Sequence, residues 1–233
     1  AHACGLRIGL PEPFFHEGLD SELAVALAAA SGVFRELGAV VRPVALPGGA
    51  EAAAACGVLI RAEALAVHRE SLRRHPERLE EGTRRRLALA EGVGAAELAR
   101  VRRRLDEWAG AVAAAFEEVD LLLCPATPGP APPARDADSV ATTAAVTPFT
   151  FALSLARIPV LALPCGFTAG GLPLGLQLAG PAGAESALLG AGAAYQGVTT
   201  WHVARPPCQN SFRNDASSLG CPGRREARTQ GAP

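Results

Sequence analysis

A chain of 233 residues, 49% hydrophobic and 19% charged, is long enough for a substantial core and has the composition of a water-soluble globular protein. Its net charge of −1 supplies no global field to gather nucleic acid or an acidic membrane surface. All 22 basic residues are arginine. The chain therefore has no side-chain amine able to lose its proton near neutral pH, because a guanidinium stays charged.

In chain order, Leu6-Arg7-Ile8-Gly9-Leu10 reads as a short strand ending at Pro11. Asp20 or Ser21 can cap a helix that places Leu23, Leu27, Ala30, Phe34 and Leu37 on one face and stops at Gly38. Val40–Leu46 reads as a second strand, so the order β-α-β predicts a crossover on a parallel part of a sheet. A long helical region follows over 50–75, then a charged stretch to about Glu91. The clearest periodicity comes next: Leu98, Val101, Leu105, Trp108, Val112, Ala115 and Val119 recur at alternating steps of three and four. That helix leads into an apolar strand, Val119–Cys124.

Residues 125–148 are rich in Pro, Ala and Thr and are expected to form a long loop, a length associated with function or mobility. A short helix at about Phe149–Ala156, strands at 159–163 and 174–179, and a helix at about Ala184–Gln196 complete the pattern. No residue is charged between Arg157 and Glu185, yet Pro159, Pro164, Pro173 and Pro181 divide that stretch into short pieces. It reads as buried strands joined by a turn, not as a membrane span. Residues 1–204 are taken as one globular portion. Residues 205–233, with few large apolar side chains and no periodicity, are expected to be a disordered tail.

Several clusters invite a functional reading. Residues 61–104 are arginine-rich, with dense points at Arg84-Arg85-Arg86 and Arg102-Arg103-Arg104. Glutamates interleave there and no aromatic residue lies in the interval to stack a base, so a solvated helical face is expected in place of a nucleic-acid interface. His68 and His75 stand seven apart, not three or four, and read as solvated residues rather than a metal pair. Ser154 and Ser186 fall in predicted helices, and there is no Gly-x-Ser-x-Gly elbow. The cysteines at 4, 56, 124, 165, 208 and 221 form no Cys-x-x-Cys pair; buried free thiols in a reducing cytoplasm are expected.

Three runs carry a resemblance. Asp120-Leu121-Leu122-Leu123-Cys124-Pro125-Ala126-Thr127-Pro128 precedes Ile158-Pro159-Val160-Leu161-Ala162-Leu163-Pro164-Cys165-Gly166-Phe167. Then come Gly171-Leu172-Pro173-Leu174-Gly175-Leu176-Gln177-Leu178-Ala179-Gly180 and the closing Trp201-His202. In this order they resemble the C-terminal part of the amidase signature family, and weaker likeness at Gly5–Pro11 and at Glu63 with His68 extends it over residues 5–202.

The resemblance implies an α/β fold, a mixed β-sheet flanked by helices, and hydrolysis of the amide bond of a small acyl amide by a Ser-Ser-Lys triad without metal or cofactor. The serine-bearing segment and the lysine would precede Ala1. The chain is therefore expected to be a C-terminal portion, with no catalytic residue of its own. Thr147, Phe149 and Phe151 are the candidate substrate-pocket residues, because this region approaches the acyl pocket in the family; the plainer reading makes the two phenylalanines core residues under the loop. Arg157 departs from the family, which has a small residue there, often Gly. Gln177 is expected to be buried and hydrogen-bonded, not catalytic. The expected partner is a small-molecule amide, with neither nucleic acid nor membrane and with a homodimer allowed. Two other readings stand beside the amidase: a portion of the amidase-like component of a tRNA-dependent amidotransferase, and a non-catalytic remnant acting as a binding module.

Overall fold

The computed structural model describes residues 3–136 and 139–205. The first strand, β1 (Arg7–Glu12), is followed by α1 (Ser21–Glu36) and β2 (Val40–Ala45). Asp20 starts α1 by accepting from the backbone N–H of Glu22 and Leu23, at 2.9 and 3.1 Å, two donors that the first helical turn otherwise leaves unpaired. Gly38, at φ +89°, follows its C-terminal end, a left-handed backbone that glycine adopts without a Cβ penalty. Leu23, Leu27, Ala30 and Phe34 are buried as their spacing predicts. Burying the three large ones contributes roughly 1.5–3 kcal/mol each.

The chain continues through α2 (Gly49–Arg74), α3 (Glu81–Ala88) and α4 (Ala95–Glu118) into β3 (Leu121–Pro125). Then follow α5 (Val140–Val146), α6 (Pro148–Leu155), β4 (Val160–Phe167), β5 (Pro173–Ala179) and α7 (Glu185–Val198). The five strands form one sheet in the order β2-β1-β3-β5-β4. β1 pairs in parallel with both β2 and β3, while β3–β5 and β5–β4 are antiparallel. The α/β class and the mixed sheet expected from the sequence are both present.

β3 is buried along its whole length, and its side chains alternate between two cores, as the period of a strand requires. Leu121 and Leu123 join Ile8, Phe34, Leu163, Leu176, Leu178 and Tyr195 beneath α1 and α7. Leu122 and Cys124 join Val44, Trp108, Val112, Phe149 and Leu153 beneath α2, α4 and α6. Both layers are pinned by specific contacts. Phe34 stacks on Tyr195 with ring centroids 5.2 Å apart, and Trp108 Nε1 donates to the Ala152 carbonyl at 2.6 Å.

Of the cysteines expected to be buried free thiols, Cys56, Cys124 and Cys165 are buried but Cys4 is exposed, and Cys208 and Cys221 lie outside the described residues; the structure departs from the sequence reading in two further places. The loop expected over 125–148 contains α5, which begins where Ser139 Oγ accepts from the Thr142 N–H at 2.9 Å. Alanine, valine and threonine carry no amphipathic stripe there, so periodicity alone could not show it. The second departure is β4: it is an edge strand, not a fully buried one, with Val160 39% exposed and Ala162 exposed. The chain divides into residues 1–202 and residues 203–233. The disorder expected for the tail lies outside the described residues from 206 onward.

Candidate functional site

The candidate pocket wall is assembled where α5 meets α6. Thr147 is at once the last cap of α5 and the first cap of α6. Its hydroxyl donates to the Thr143 carbonyl at 2.7 Å. Its own carbonyl accepts from Thr150 Oγ1 at 3.0 Å and from the Phe151 N–H at 2.9 Å. Pro148 occupies the first helical position, where no N–H is needed. Thr147 and Phe151 are half-buried, and Phe149 is buried.

Phe149 sits in an aromatic cluster with Phe14 and Phe15, at centroid distances of 5.2 and 5.3 Å. Edge-on geometry between Phe14 and Phe149 suits the ring quadrupoles. Phe14 and Phe15 lie far upstream in the chain, and no local pattern marks them as neighbours of α6; only the fold brings them together.

Gln177 on β5 holds this wall to the sheet. It is buried, and its Nε2 donates to the Pro125 carbonyl at 3.0 Å and to the Phe149 carbonyl at 3.5 Å. One amide thus joins the end of β3, the first turn of α6 and the middle of β5. The expectation of a buried, hydrogen-bonded glutamine holds. Beyond β3, the Ala126 N–H donates to the Gly175 carbonyl at 3.0 Å, Thr127 Oγ1 to the Gly129 carbonyl at 2.7 Å, and the Asp20 N–H to the Pro128 carbonyl at 2.8 Å. Residues 126–130 are half-buried and run along the same end of β3 as Gln177's partner.

Buried titratable groups are held neutral, and of these Cys124 lies beside Gln177. Burial pushes the Cys124 thiol far up, with a smaller opposing effect from Gln177. Cys56 and Cys165 are pushed up to about 11 by burial, and Tyr195 to about 12 by burial and then by Cys165. Such thiols are poor nucleophiles and poor metal ligands, since both roles need the thiolate. Among the described residues no group of three or more His, Cys, Asp and Glu is placed to hold a metal ion. His68 and His75 are exposed, and His75 Nδ1 lies 3.5 Å from Glu77. Ser154 and Ser186 are exposed on α6 and α7. What this arrangement can do is shape and support a binding surface.

Arg157 proves informative. It is exposed, and it has φ +55°, the left-handed conformation that costs a residue with a Cβ roughly 1–2 kcal/mol. The chain must turn there from α6 into β4, which explains why a glycine suits the position. Its side chain is accommodated at the surface. Elsewhere, clefts of about 240 Å³ and 430 Å³ open beside α1 and between α2 and α4. The second has a mixed lining that includes Arg100, Arg104, Glu51 and Glu97.

Comparison with known proteins assigns this framework. The family model for Amidase matches residues 2–189. An amidase of Pseudomonas putida is 34% identical over an alignment covering 87% of this chain and 45% of that protein. The A-type component of the glutamyl-tRNA(Gln) amidotransferase of Azotobacter vinelandii is also 34% identical, covering 87% of this chain and 47% of its own length. A solved amidase structure superposes with a TM-score of 0.74 at 27% identity, over 83% of this chain and 46% of that one. The chain thus spans about half the length of the relatives it matches. By the match over most of its length, the chain belongs to the amidase signature family.

Proposed function

We propose that these 233 residues form one half of an amidase that hydrolyses the carbon–nitrogen bond of a small acyl amide to an acid and an amine. The family match over residues 2–189 carries this reading. The residues that resemble the family's pocket region are Thr147, Phe149 and Phe151. In this proposal Thr147 and Phe151, both half-buried, line the acyl side of the pocket, and Phe149 supports them from the core. Gln177 keeps α6 in register with β3 and β5.

Bond cleavage is assigned to residues outside this chain. The Ser-Ser-Lys chemistry needs an amine whose pKa burial can depress, and all 22 basic residues here are arginine. The half described here supplies the substrate wall, and no metal or organic cofactor enters the proposal. The arginine-rich surface of α2–α4 is assigned to solvent: Glu70 pairs with Arg73 and Arg74, Glu81 with Arg85, and Glu107 with Arg103 and Arg104. The compartment proposed is the cytoplasm, a reading supported by free thiols at Cys4, Cys56, Cys124 and Cys165. No helix among the described residues is long and apolar enough to cross a membrane.

A second reading, part of the A-type component of an amidotransferase, is favoured by relatives of that name at 33–35% identity. The test is release of ammonia or amine from a panel of simple amides. The purified chain is expected to show none above background. Joined to the family's serine- and lysine-bearing portion it should turn over amides, and replacing that lysine by alanine should abolish the activity. Dependence of turnover on a second protein component would select the amidotransferase. Turnover by the chain alone, lost on replacing a serine or histidine within it, would overturn the proposal.

A further inference from the structure

The groove of about 240 Å³ beside α1 lies on the opposite face of the sheet from the candidate wall, and none of Thr147, Phe149 and Phe151 lines it. Its floor residue Leu27 belongs to the core beneath α1 and α7, whereas Phe149 belongs to the core beneath α2, α4 and α6. Leu10 brings the carboxyl-terminal half of β1 into the floor, and His16 and Leu19 come from the connection between β1 and α1. Parallel strands of open α/β sheets take their ligands at this end, where the connections leave the carboxyl ends of the strands.

The lining is apolar with basic ends. Leu10, Leu19, Leu27, Ala24 and Ala28 form the floor and sides, and among the described residues no acidic side chain lines the groove. The two titratable side chains that do are His16, which is never negative, and Arg35. Arg35 is exposed and takes part in no ion pair among the described residues, whereas Arg7, Arg42, Arg73 and Arg85 each hold a carboxylate. Long side chains on a helix lean back toward its N-terminus, which carries the Arg35 guanidinium toward Ser31 and Ala28. Ser31 is buried, and its hydroxyl donates to the Leu27 carbonyl at 3.0 Å. It has no proton left for a ligand, so Arg35 is the anchor for an anion at this end. From Ala24 to Ser31 the helix rises roughly 10 Å at about 1.5 Å per residue, room for one aromatic ring with a short acid arm.

We propose that this groove is a binding site for a small apolar monocarboxylate, an aryl or short alkyl acid. Its body lies on Leu10, Leu19 and Leu27, and Arg35 holds its carboxylate. A guanidinium offers a carboxylate two parallel N–H donors. With no acidic group in the lining, nothing repels the anion, while an amine of the same shape meets only Arg35 and finds no partner. The site is built from this chain's own residues and does not rest on the amidase reading. Taken with that reading, it recognises the class of acid that amide hydrolysis releases, on the face of the sheet away from Phe149.

The test titrates the isotope-labelled 233-residue chain with phenylacetate and follows backbone amide chemical shifts. Phenylacetamide and phenethylamine, which keep the ring but carry a neutral or a positive group, are titrated beside it. Phenylacetate should shift the amides of Leu10, Leu27, Ala28 and Ser31 and saturate with a dissociation constant of roughly millimolar order. Phenylacetamide should bind about fivefold more weakly, and the amine more weakly still. Added salt should weaken the acid and not the amide. Arg35→Gln should bring phenylacetate down to the affinity of phenylacetamide and leave the amide's binding unchanged. Ala28→Phe, on the exposed side of α1, should fill the groove and remove both. Where Arg35→Gln shifts the unfolding midpoint, the comparison of acid with amide on the unaltered chain decides. No saturable shift, equal affinity for acid and amide, or shifts confined to other elements would each overturn the proposal. Amide turnover is a separate readout: binding without turnover by the joined protein leaves this site standing, and turnover without binding removes this site alone.

Discussion

The β2 side and the β4 side of this sheet are finished differently. At β2 the edge carries a paired arginine and a proline, and the nearby layer of α2, α3 and α4 turns arginine and glutamate outward. At β4 the edge carries a proline too, Pro164, but no charge, and α7 has none from Ser186 to Val198. A surface built for water tolerates ion pairs that contribute little to stability. An uncharged strand edge whose outward main-chain groups are paired only with water is a template for pairing with another strand. The two sides of the sheet thus present different chemistry to their surroundings: ion pairs beside β2 and uncharged side chains along β4.

The largest expected effect tests whether the finished side is a rigid layer. Trp108→Ala removes a buried ring and the 2.6 Å bond that ties α4 to α6. It should cost about 3–5 kcal/mol in denaturant unfolding, and a loss under about 1 kcal/mol would show that the layer is loose. Next is the join between the two sides. Gln177→Ala leaves the Pro125 and Phe149 carbonyls without this donor, and should cost about 1–3 kcal/mol in the same unfolding measurement.

Alkaline titration probes the buried thiols, with Cys165 in the core beneath α1 and α7 and Cys124 in the core beneath α2, α4 and α6. The Cys56 and Cys165 thiols lie at about 11 in the fold, against roughly 8.5 in an unfolded chain. A raised thiol pKa means that the unfolded state loses its proton first. Stability should therefore be full below about pH 8.5, decline as pH rises toward about 11, and go on declining above that, because Cys124 and Tyr195 are pushed higher still. A flat profile over this range would contradict the burial. Smaller still is Arg157→Gly, which relieves the left-handed strain at the entry to β4. Strain relief is partly offset by the freedom that glycine adds to the unfolded chain, and a net gain of about 0.5–1 kcal/mol is expected. The smallest change in stability is expected from Arg42→Val, within about 0.5 kcal/mol. That variant should make the β2 edge resemble β4, and light scattering should report increased self-association.

Much of this was legible because it is local. The cap at Asp20, the stop at Gly38 and the three-and-four stripe of α4 each need only a few neighbouring residues, and all formed where expected. α5 was hidden because a run of Ala, Val and Thr has no polar side to contrast with an apolar one. At the candidate wall, Thr147, Phe149 and Phe151 were reached through family resemblance. Their support by Phe14, Phe15 and Gln177 was not readable as a set, because contacts across such distances in the chain leave no periodic trace.

By itself the sequence determined most of the elements, the family and the impossibility of a lysine base within these 233 residues. Those follow from side-chain chemistry and from periods of two and about 3.6 residues, which the covalent chain carries unaided. Only the tertiary structure decided the strand order and which strands lie at the edges of the sheet. It also explains the cost of Arg157: the demand for a left-handed residue arises from the path of the backbone between α6 and β4. Strand pairing and backbone direction depend on contacts between distant segments, and those exist only once the chain has packed.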